Sequence, residues 1–349
     1  MDVSLFDYAL PEERVALRPA SPRDSARMLV VREDGSLAHA RVRDLPDFLH
    51  NGDMLVANDS KVIPARLRAR KVVPDGTGPM IELLLHKRTA PDRFLALVRP
   101  ARKLRVHDEL LFDHFRGVVL SKHFGEVEVM FDIKGAALDA AITRLGEMPL
   151  PPYIAKRRPA DARDVQDYQT VFAARQGSSA APTAGLHFTP ELLARLRDAG
   201  MAREEVTLHV GPGTFLPVNA TDTADHRMHS EWIHLDPETA ERINACRARG
   251  GRIVAVGTTA LRTLETAADA DGNVHSCQGE TNLFITPGYR FKTVDVLLTN
   301  FHLPRSTLFM LVAAFAGLDT MKCAYQAAIA ENYRFYSYGD ASLLLRPRE

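Results

Sequence analysis

Cysteine is scarce: Cys246, Cys277 and Cys323 are the only three among 349 residues. They lie far apart with no CxxC pair, which argues against a disulfide framework or a cysteine zinc site and fits a reducing cytosol. Net charge is absent too, since 44 Lys and Arg balance 44 Asp and Glu, so no global electrostatic partner is implied. No apolar run is long. The longest, Leu308 to Gly317, is about half of the roughly 20 residues a membrane span needs. The opening Met1 to Asp7 lacks the basic start and apolar run of a signal peptide. With 46% hydrophobic and 25% charged residues, the expectation is a soluble, cytoplasmic, globular protein with no membrane partner. At about 150 residues per domain the length suggests two domains.

The charge that is present is unevenly spread. Residues 61 to 160 hold 19 basic and 11 acidic residues, against 25 and 33 in the remainder. Such an asymmetry can mark a portion that faces nucleic acid, or only a solvated surface. Ala65 to Lys71 alternates apolar and basic residues, as a half-buried strand would. Met80 to Leu85, Phe94 to Val98, Glu109 to Phe112, Gly117 to Ser121 and Glu126 to Phe131 are further short strand candidates. Their close spacing predicts a small antiparallel barrel or sandwich. A short helix over Ala136 to Leu145 follows, and the proline run from Pro149 to Pro152 reads as a junction.

Beyond residue 165 strands and helices alternate. Thr189 with Pro190 starts one helix and Gly200 closes it, while Asp236 with Pro237 starts another that ends at Gly250. Strand-like runs cover Glu205 to Val210, Trp232 to Leu235, Arg252 to Val256 and Val294 to Thr299, with Met28 to Val31 and Asp53 to Ala57 near the start. The predicted fold class is mixed α/β, with residues 1–63 and 149–349 interrupted by a small antiparallel β-barrel at 64–148.

Chemistry-bearing residues concentrate in the α/β part. Asp225, His226, His229 and Glu231 form the densest polar cluster. It suits a two-His, one-carboxylate metal site, a metal-free acid–base site or a surface loop. Its spacing matches no standard zinc pattern, so no metal is expected. Gly257, Thr258 and Thr259 follow a buried-looking strand and open a helix, a place that suits an anion, although Thr258 is equally a plain N-cap. Arg262, one turn on, could pair with a carboxylate. The stretch from His209 to Pro217 has Gly211 and Gly213, but it lacks a third glycine and carries two prolines. A dinucleotide fingerprint is therefore disfavoured, and the glycines either let backbone approach a ligand or make a turn. The small-residue stretch from Gly177 to Thr189, with Thr183 and His187, could wrap a ligand. Asn300 and His302 end a strand, where open α/β sheets place ligands.

Spacing yields a polar cleft and a basic insertion, not a reaction. The motifs GSSAAPTAGLHFT (177–189), HVGPGTFLPV (209–218), DHRMHSE (225–231), GTTALRTLE (257–265) and VDVLLTNFHLPRSTLFMLVAAFAG (294–317) occur in order. NDSKVIPARL (58–67), GEMPLPPYI (146–154) and YRFYSYGDASLLL (333–345) join them. Together they cover essentially the whole chain, which resembles the S-adenosylmethionine:tRNA ribosyltransferase-isomerase family of queuosine biosynthesis. Pro212 stands where relatives often carry a small residue.

The resemblance implies an α/β domain carrying an inserted β-barrel. It implies transfer of the ribosyl part of S-adenosylmethionine, a co-substrate and not a retained cofactor, onto an aminomethyl-deazaguanine base at the tRNA wobble position. Adenine and methionine leave and epoxyqueuosine forms. That chemistry needs a base for a proton beside the sulfonium, and His229 or His226 is assigned to it, with Glu231 or Asp225 orienting the imidazole. Arg262 and Thr258 are assigned to the methionine carboxylate, His187, Asn300 and His302 to adenine or ribose, and Gly257 and Thr259 to substrate binding. Arg66, Arg68, Arg70, Arg99, Arg102, Lys103, Arg105, Lys156, Arg157 and Arg158 are the expected phosphate contacts. A monomer is expected. The competing readings are a metal enzyme on His226, His229 and Glu231, and a non-catalytic tRNA-binding protein.

Overall fold

A computed structural model describes residues 1–347 except 75, 124, 212–217 and 219. The strands begin with β1 (Arg27–Val31), β2 (Leu37–Arg41), β3 (Met54–Asn58), β4 (Ser60–Val62) and β5 (Arg66–Val73). Next come β6 (Gly76–Ala90), β7 (Arg93–Arg99), β8 (Glu109–Leu111), β9 (Arg116–His123), β10 (Glu126–Phe131) and β11 (Arg175–Ser178). The last are β12 (Ala202–Leu208), β13 (Glu231–Leu235), β14 (Ile253–Val256), β15 (Cys277–Thr281), β16 (Val296–Asn300) and β17 (Ala341–Leu345). The helices are α1 (Ala136–Leu145), α2 (Pro152–Ala155), α3 (Asp164–Asp167), α4 (Pro190–Asp198), α5 (Pro237–Ala248), α6 (Gly257–Ala267), α7 (Thr307–Ala316) and α8 (Leu318–Ala330). Residues 1–60, 169–175 and 182–349 form one compact unit, and residues 61–168 and 176–181 a second.

The first unit is built on a nine-stranded mixed sheet of order β15-β13-β12-β3-β14-β16-β17-β1-β2. Its centre, from β12 through β3 and β14 to β16, is parallel. Central strands buried on both faces need apolar residues on both sides of the pleat. Ile253 and Ala255 accordingly enter one hydrophobic cluster with Leu261, Phe309 and Tyr325, while Val254 and Val256 enter the other with Phe188, Leu192 and Leu196. The same alternation divides Leu29 and Val31 from Met28 and Val30 on β1.

Helix boundaries follow local chemistry. Thr189 caps α4 by accepting from the Leu192 N–H at 3.2 Å. Asp236 precedes α5 but makes no cap, because its carboxylate is bonded to His234 at 2.7 Å and to Arg175 at 2.8 Å. No single helix among the described residues is long and apolar enough to cross a membrane; α7 and α8 meet at a bend of 113°.

The second unit contains a closed antiparallel barrel of order β10-β7-β6-β5-β8-β9. The basic alternation of β5 is resolved by the pleat: Leu67 and Ala69 are buried in the barrel core while Arg68 and Arg70 are exposed. The mixed α/β class with an antiparallel barrel expected from the sequence is what the chain adopts. Strand β6 runs well past the expected Met80 to Leu85, and β2, β15 and β17 and helix α8 had no counterpart in the sequence reading.

Candidate functional site

Three segments of the first unit meet at the carboxyl ends of β14 and β16. The two strands are parallel neighbours with Val256 opposite Leu298, so Gly257 and Thr258 fall level with Thr299 and Asn300. Gly257 opens α6 at φ +89°, and a Cβ there would lie 3.2 Å from the Ala184 side chain. That close approach, together with the left-handed backbone, is why the position suits glycine. It packs the start of α6 onto the turn Thr183–His187. The N-cap position of α6 is Val256, with no side-chain cap, so Thr258 is a buried first-turn residue and the N-cap alternative is overturned.

Thr183, His187 and Asn300, all expected as binding residues, are joined directly. The Asn300 amide accepts from the Thr183 hydroxyl at 2.8 Å and meets His187 Nε2 at 3.2 Å and the Tyr336 carbonyl at 3.2 Å. Burial, reinforced by Arg334 and Arg23, pushes the His187 pKa down to about 3. His302 sits beyond Asn300 with Nε2 2.9 Å from the Thr299 hydroxyl, and its own N–H donates to the Tyr325 hydroxyl at 2.9 Å. Burial brings its pKa to about 3 as well. The hydroxyl of Tyr8 donates to the His302 carbonyl. Both histidines are therefore neutral at any working pH.

Arg262 and Glu231 form a second group. The Arg262 Nη1 group is paired with Glu231 and Nε donates to the Leu283 carbonyl at 3.0 Å. Both side chains are 4% exposed. Glu231 also accepts from the Gly211 N–H at 3.1 Å. Buried opposite charges need such partners, because desolvation of either alone costs several kcal/mol. Arg262 Nη2 and Thr259 Oγ1, three residues apart on one helix face, are buried with no hydrogen-bond partner among the described residues. A cation so held has its Nη2 group left for an anionic group.

This arrangement corrects one expectation. Glu231 does not orient an imidazole: it is the counter-ion of Arg262, and neither His226 nor His229 has a carboxylate partner among the described residues. His226 is half-buried against Phe284, ring centroids 5.2 Å apart, whereas Asp225 and His229 are exposed. The His226 pKa is lowered, first by burial and then by the nearby His229 charge. Among the described residues no three His, Cys, Asp or Glu side chains converge as metal ligands. Gly213 lies outside the described residues.

The basic residues of the second unit divide into two kinds. Arg70, Arg99, Arg102, Lys103, Arg105, Lys156 and Arg157 are exposed. Arg66, half-buried, is 4.0 Å from Glu82, and the exposed Arg68 is 3.3 Å from Glu147. Arg158 is different: it grips the fully buried Asp164 through two bonds of 2.6 and 2.8 Å. Its role is structural, which overturns its expected phosphate contact.

Sequence reasoning missed the Tyr8, Tyr325 and Tyr336 contacts, which depend on tertiary approach. It also missed a column of His209, Trp232 and His234, stacked at 5.0 and 5.8 Å. Directly opposed strands produce that column, since His209 follows β12 and its N–H donates to the Trp232 carbonyl at 2.9 Å.

Comparison with known proteins places these features. The family model for queuosine biosynthesis proteins matches residues 3–344. The chain belongs to that family. Curated relatives named S-adenosylmethionine:tRNA ribosyltransferase-isomerase from Methylobacterium sp. (strain 4-46) and Rhizobium meliloti (strain 1021) are each 58% identical, over 99% of this chain and 99% of theirs. A crystal structure of S-adenosylmethionine tRNA ribosyltransferase from Thermotoga maritima is 38% identical, covering 98% of this chain and 100% of that one, with a TM-score of 0.56.

Proposed function

We propose that this queuosine biosynthesis protein transfers and isomerises the ribosyl moiety of S-adenosylmethionine onto the aminomethyl-deazaguanine base at the tRNA wobble position. Epoxyqueuosine forms, and adenine and methionine are released. The observation that carries this is identity of 58% over the full length of relatives bearing that activity in their name. The α/β unit, within residues 1–63 and 149–349, holds the reaction, and the basic insertion at 64–148 holds tRNA. The protein works as a cytoplasmic monomer with S-adenosylmethionine as co-substrate and no retained cofactor or metal.

The residues divide the labour. His229, exposed and free of ion pairs among the described residues, is the base for the proton beside the sulfonium, with His226 the alternative beside it. The sulfonium acidifies that C–H, so an imidazole within reach of it suffices as the base. Asp225 remains near enough in sequence to tune them. Arg262 Nη2, with Thr258 and Thr259, takes the methionine carboxylate; Glu231 and Gly211 hold the guanidinium still for it. Thr183, His187, Asn300 and His302, with Gly257, line the nucleoside. Arg66, Arg68, Arg70, Arg99, Lys103, Lys156 and Arg157 contact phosphates, while the target base is unstacked into the pocket.

The test is one incubation read by mass spectrometry. Protein, S-adenosylmethionine and tRNA bearing the aminomethyl-deazaguanine base are mixed with chelator and no added metal. Adenine, methionine and ribosylated tRNA are expected in equal amounts. Intact S-adenosylmethionine from folded protein would overturn the reading, and activity only after metal is restored would favour a metal enzyme.

A further inference from the structure

Asn300 is held in one amide orientation by its surroundings. The Tyr336 carbonyl can only accept a hydrogen bond, and it lies 3.2 Å from the Asn300 nitrogen. That end of the amide must therefore be the NH2 group. The carbonyl itself is fixed, because Tyr336 sits at φ +70° with its N–H bonded to Phe301 at 3.1 Å. A left-handed tyrosine is uncommon and persists only where packing imposes it. The second amide hydrogen then points to His187 Nε2 at 3.2 Å, and the amide oxygen accepts from Thr183 at 2.8 Å.

A neutral imidazole carries one proton, and the nitrogen that accepts a hydrogen bond does not carry it. His187 Nε2 accepts, so the proton is on Nδ1. The side-chain hydrogen bond of His187 among the described residues is the one at Nε2, and the residue as a whole is 3% exposed. Burial suppresses the imidazolium form, so the donor is an uncharged one.

We infer that Asn300 is a positioning residue that locks His187 in the Nδ1–H tautomer, so that His187 offers a neutral hydrogen-bond donor to an unprotonated nitrogen or oxygen of the nucleoside part of S-adenosylmethionine. The inference deepens the ribosyl-transfer reading and rests on it for the identity of the ligand. His187 donates a hydrogen bond, not a proton, and so is separate from the base near His229.

The tautomer is read first, by nitrogen NMR of histidine-labelled protein, with the His187 signals assigned from their loss in His187→Asn. Wild type should show a protonated Nδ1 and a bare Nε2. Asn300→Asp should move the proton to Nε2, because a carboxylate accepts there, and should lower kcat/KM for S-adenosylmethionine about tenfold, the value of one net hydrogen bond. Asparagine can place an amide N–H near the former Nδ1, so His187→Asn should retain several-fold more activity than His187→Ala. Analogues lacking adenine N3, adenine N7 or a ribose hydroxyl locate the acceptor: the His187→Ala penalty should vanish for one of them. A wild-type proton on Nε2, equal activity of the two His187 variants, or a penalty indifferent to every analogue would overturn the inference. Adenine release alongside the wrong tautomer would defeat this inference alone. The expected tautomer with no ribosylation of tRNA would defeat the functional reading instead.

Discussion

His226 and His229 lie on a largely exposed segment ahead of β13, whereas His187 and His302 are sealed at the carboxyl end of β16. The first pair has no hydrogen-bonded carboxylate among the described residues, and burial and a neighbouring imidazole lower the His226 pKa. The second pair is tied to Asn300 and Thr299 and held neutral. The same residue type is thus prepared for two tasks. Proton transfer near pH 7 needs an imidazole that substrate can reach and that can change its charge. Recognition of a nucleoside needs a donor or acceptor whose proton does not move.

Replacing His229 with alanine tests the comparison most severely. The expected loss in single-turnover adenine release is at least about 100-fold, the usual contribution of a positioned base. tRNA affinity should be unchanged, since the imidazole carries no phosphate contact. If both His229→Ala and His226→Ala turn over like wild type, the exposed pair is not the base and the comparison fails.

The buried ion pair gives the next largest effect. Glu231→Gln leaves the Arg262 charge buried without its counter-ion, and removing one partner of such a pair costs about 3–5 kcal/mol. A matching drop is expected in the denaturant midpoint of the α/β unit. The double replacement Glu231→Leu with Arg262→Met should recover most of the stability and none of the S-adenosylmethionine binding. Full binding in that double variant would remove Arg262 from the substrate site.

How much of this was legible in the sequence depended on distance along the chain. Period-two alternation in Ala65 to Lys71 announced strand β5 and its basic outer face, because a pleat converts local pattern into two sides. Thr189 and Pro190 announced α4 for an equally local reason. Candidates were legible too: Thr183, His187 and Asn300, each expected as a binding residue, touch one another. Their roles were not. Glu231 and Arg262 are 31 residues apart and meet only because β13 lies beneath α6. The Tyr336 carbonyl that orients Asn300 depends on a left-handed residue that nothing in its neighbourhood signals. Sequence therefore offers candidates, while pairing and protonation are decided by tertiary approach.

The sealed histidines also set a pH dependence. His187 and His302 titrate at about 3 and His209 at about 4 when folded, each depressed chiefly by burial, against about 6.5 when unfolded. The unfolded chain takes up these protons first. Their contribution to stability is complete above pH 6.5 and is lost as pH falls from there toward the folded values, by up to about 1.4 kcal/mol per pH unit for each histidine. Denaturation midpoints at pH 7 and pH 5 should show that decline, and His187→Asn should make it shallower. A midpoint that rises between pH 7 and pH 5 would mean that these imidazoles are not held neutral.

The contrast between exposed and sealed groups extends to the arginines of the barrel-containing unit, where the effects on binding are smallest. Arg70 is exposed with no ion-pair partner among the described residues, while Arg158 is committed to Asp164. A residue that neutralises one phosphate releases its counterions, so its removal lowers the slope of log affinity against log salt by about one. Arg70→Ala should weaken tRNA binding a few-fold at low salt and flatten that slope, with stability unchanged because an exposed side chain gives up little. Arg158→Ala should do the reverse: the slope stays, and stability falls because the Asp164 carboxylate loses the partner that makes its burial tolerable. Equal slopes for Arg70→Ala and wild type would remove Arg70 from the phosphate path. A flattened slope for Arg158→Ala with stability intact would mean that its guanidinium reaches RNA despite the pairing.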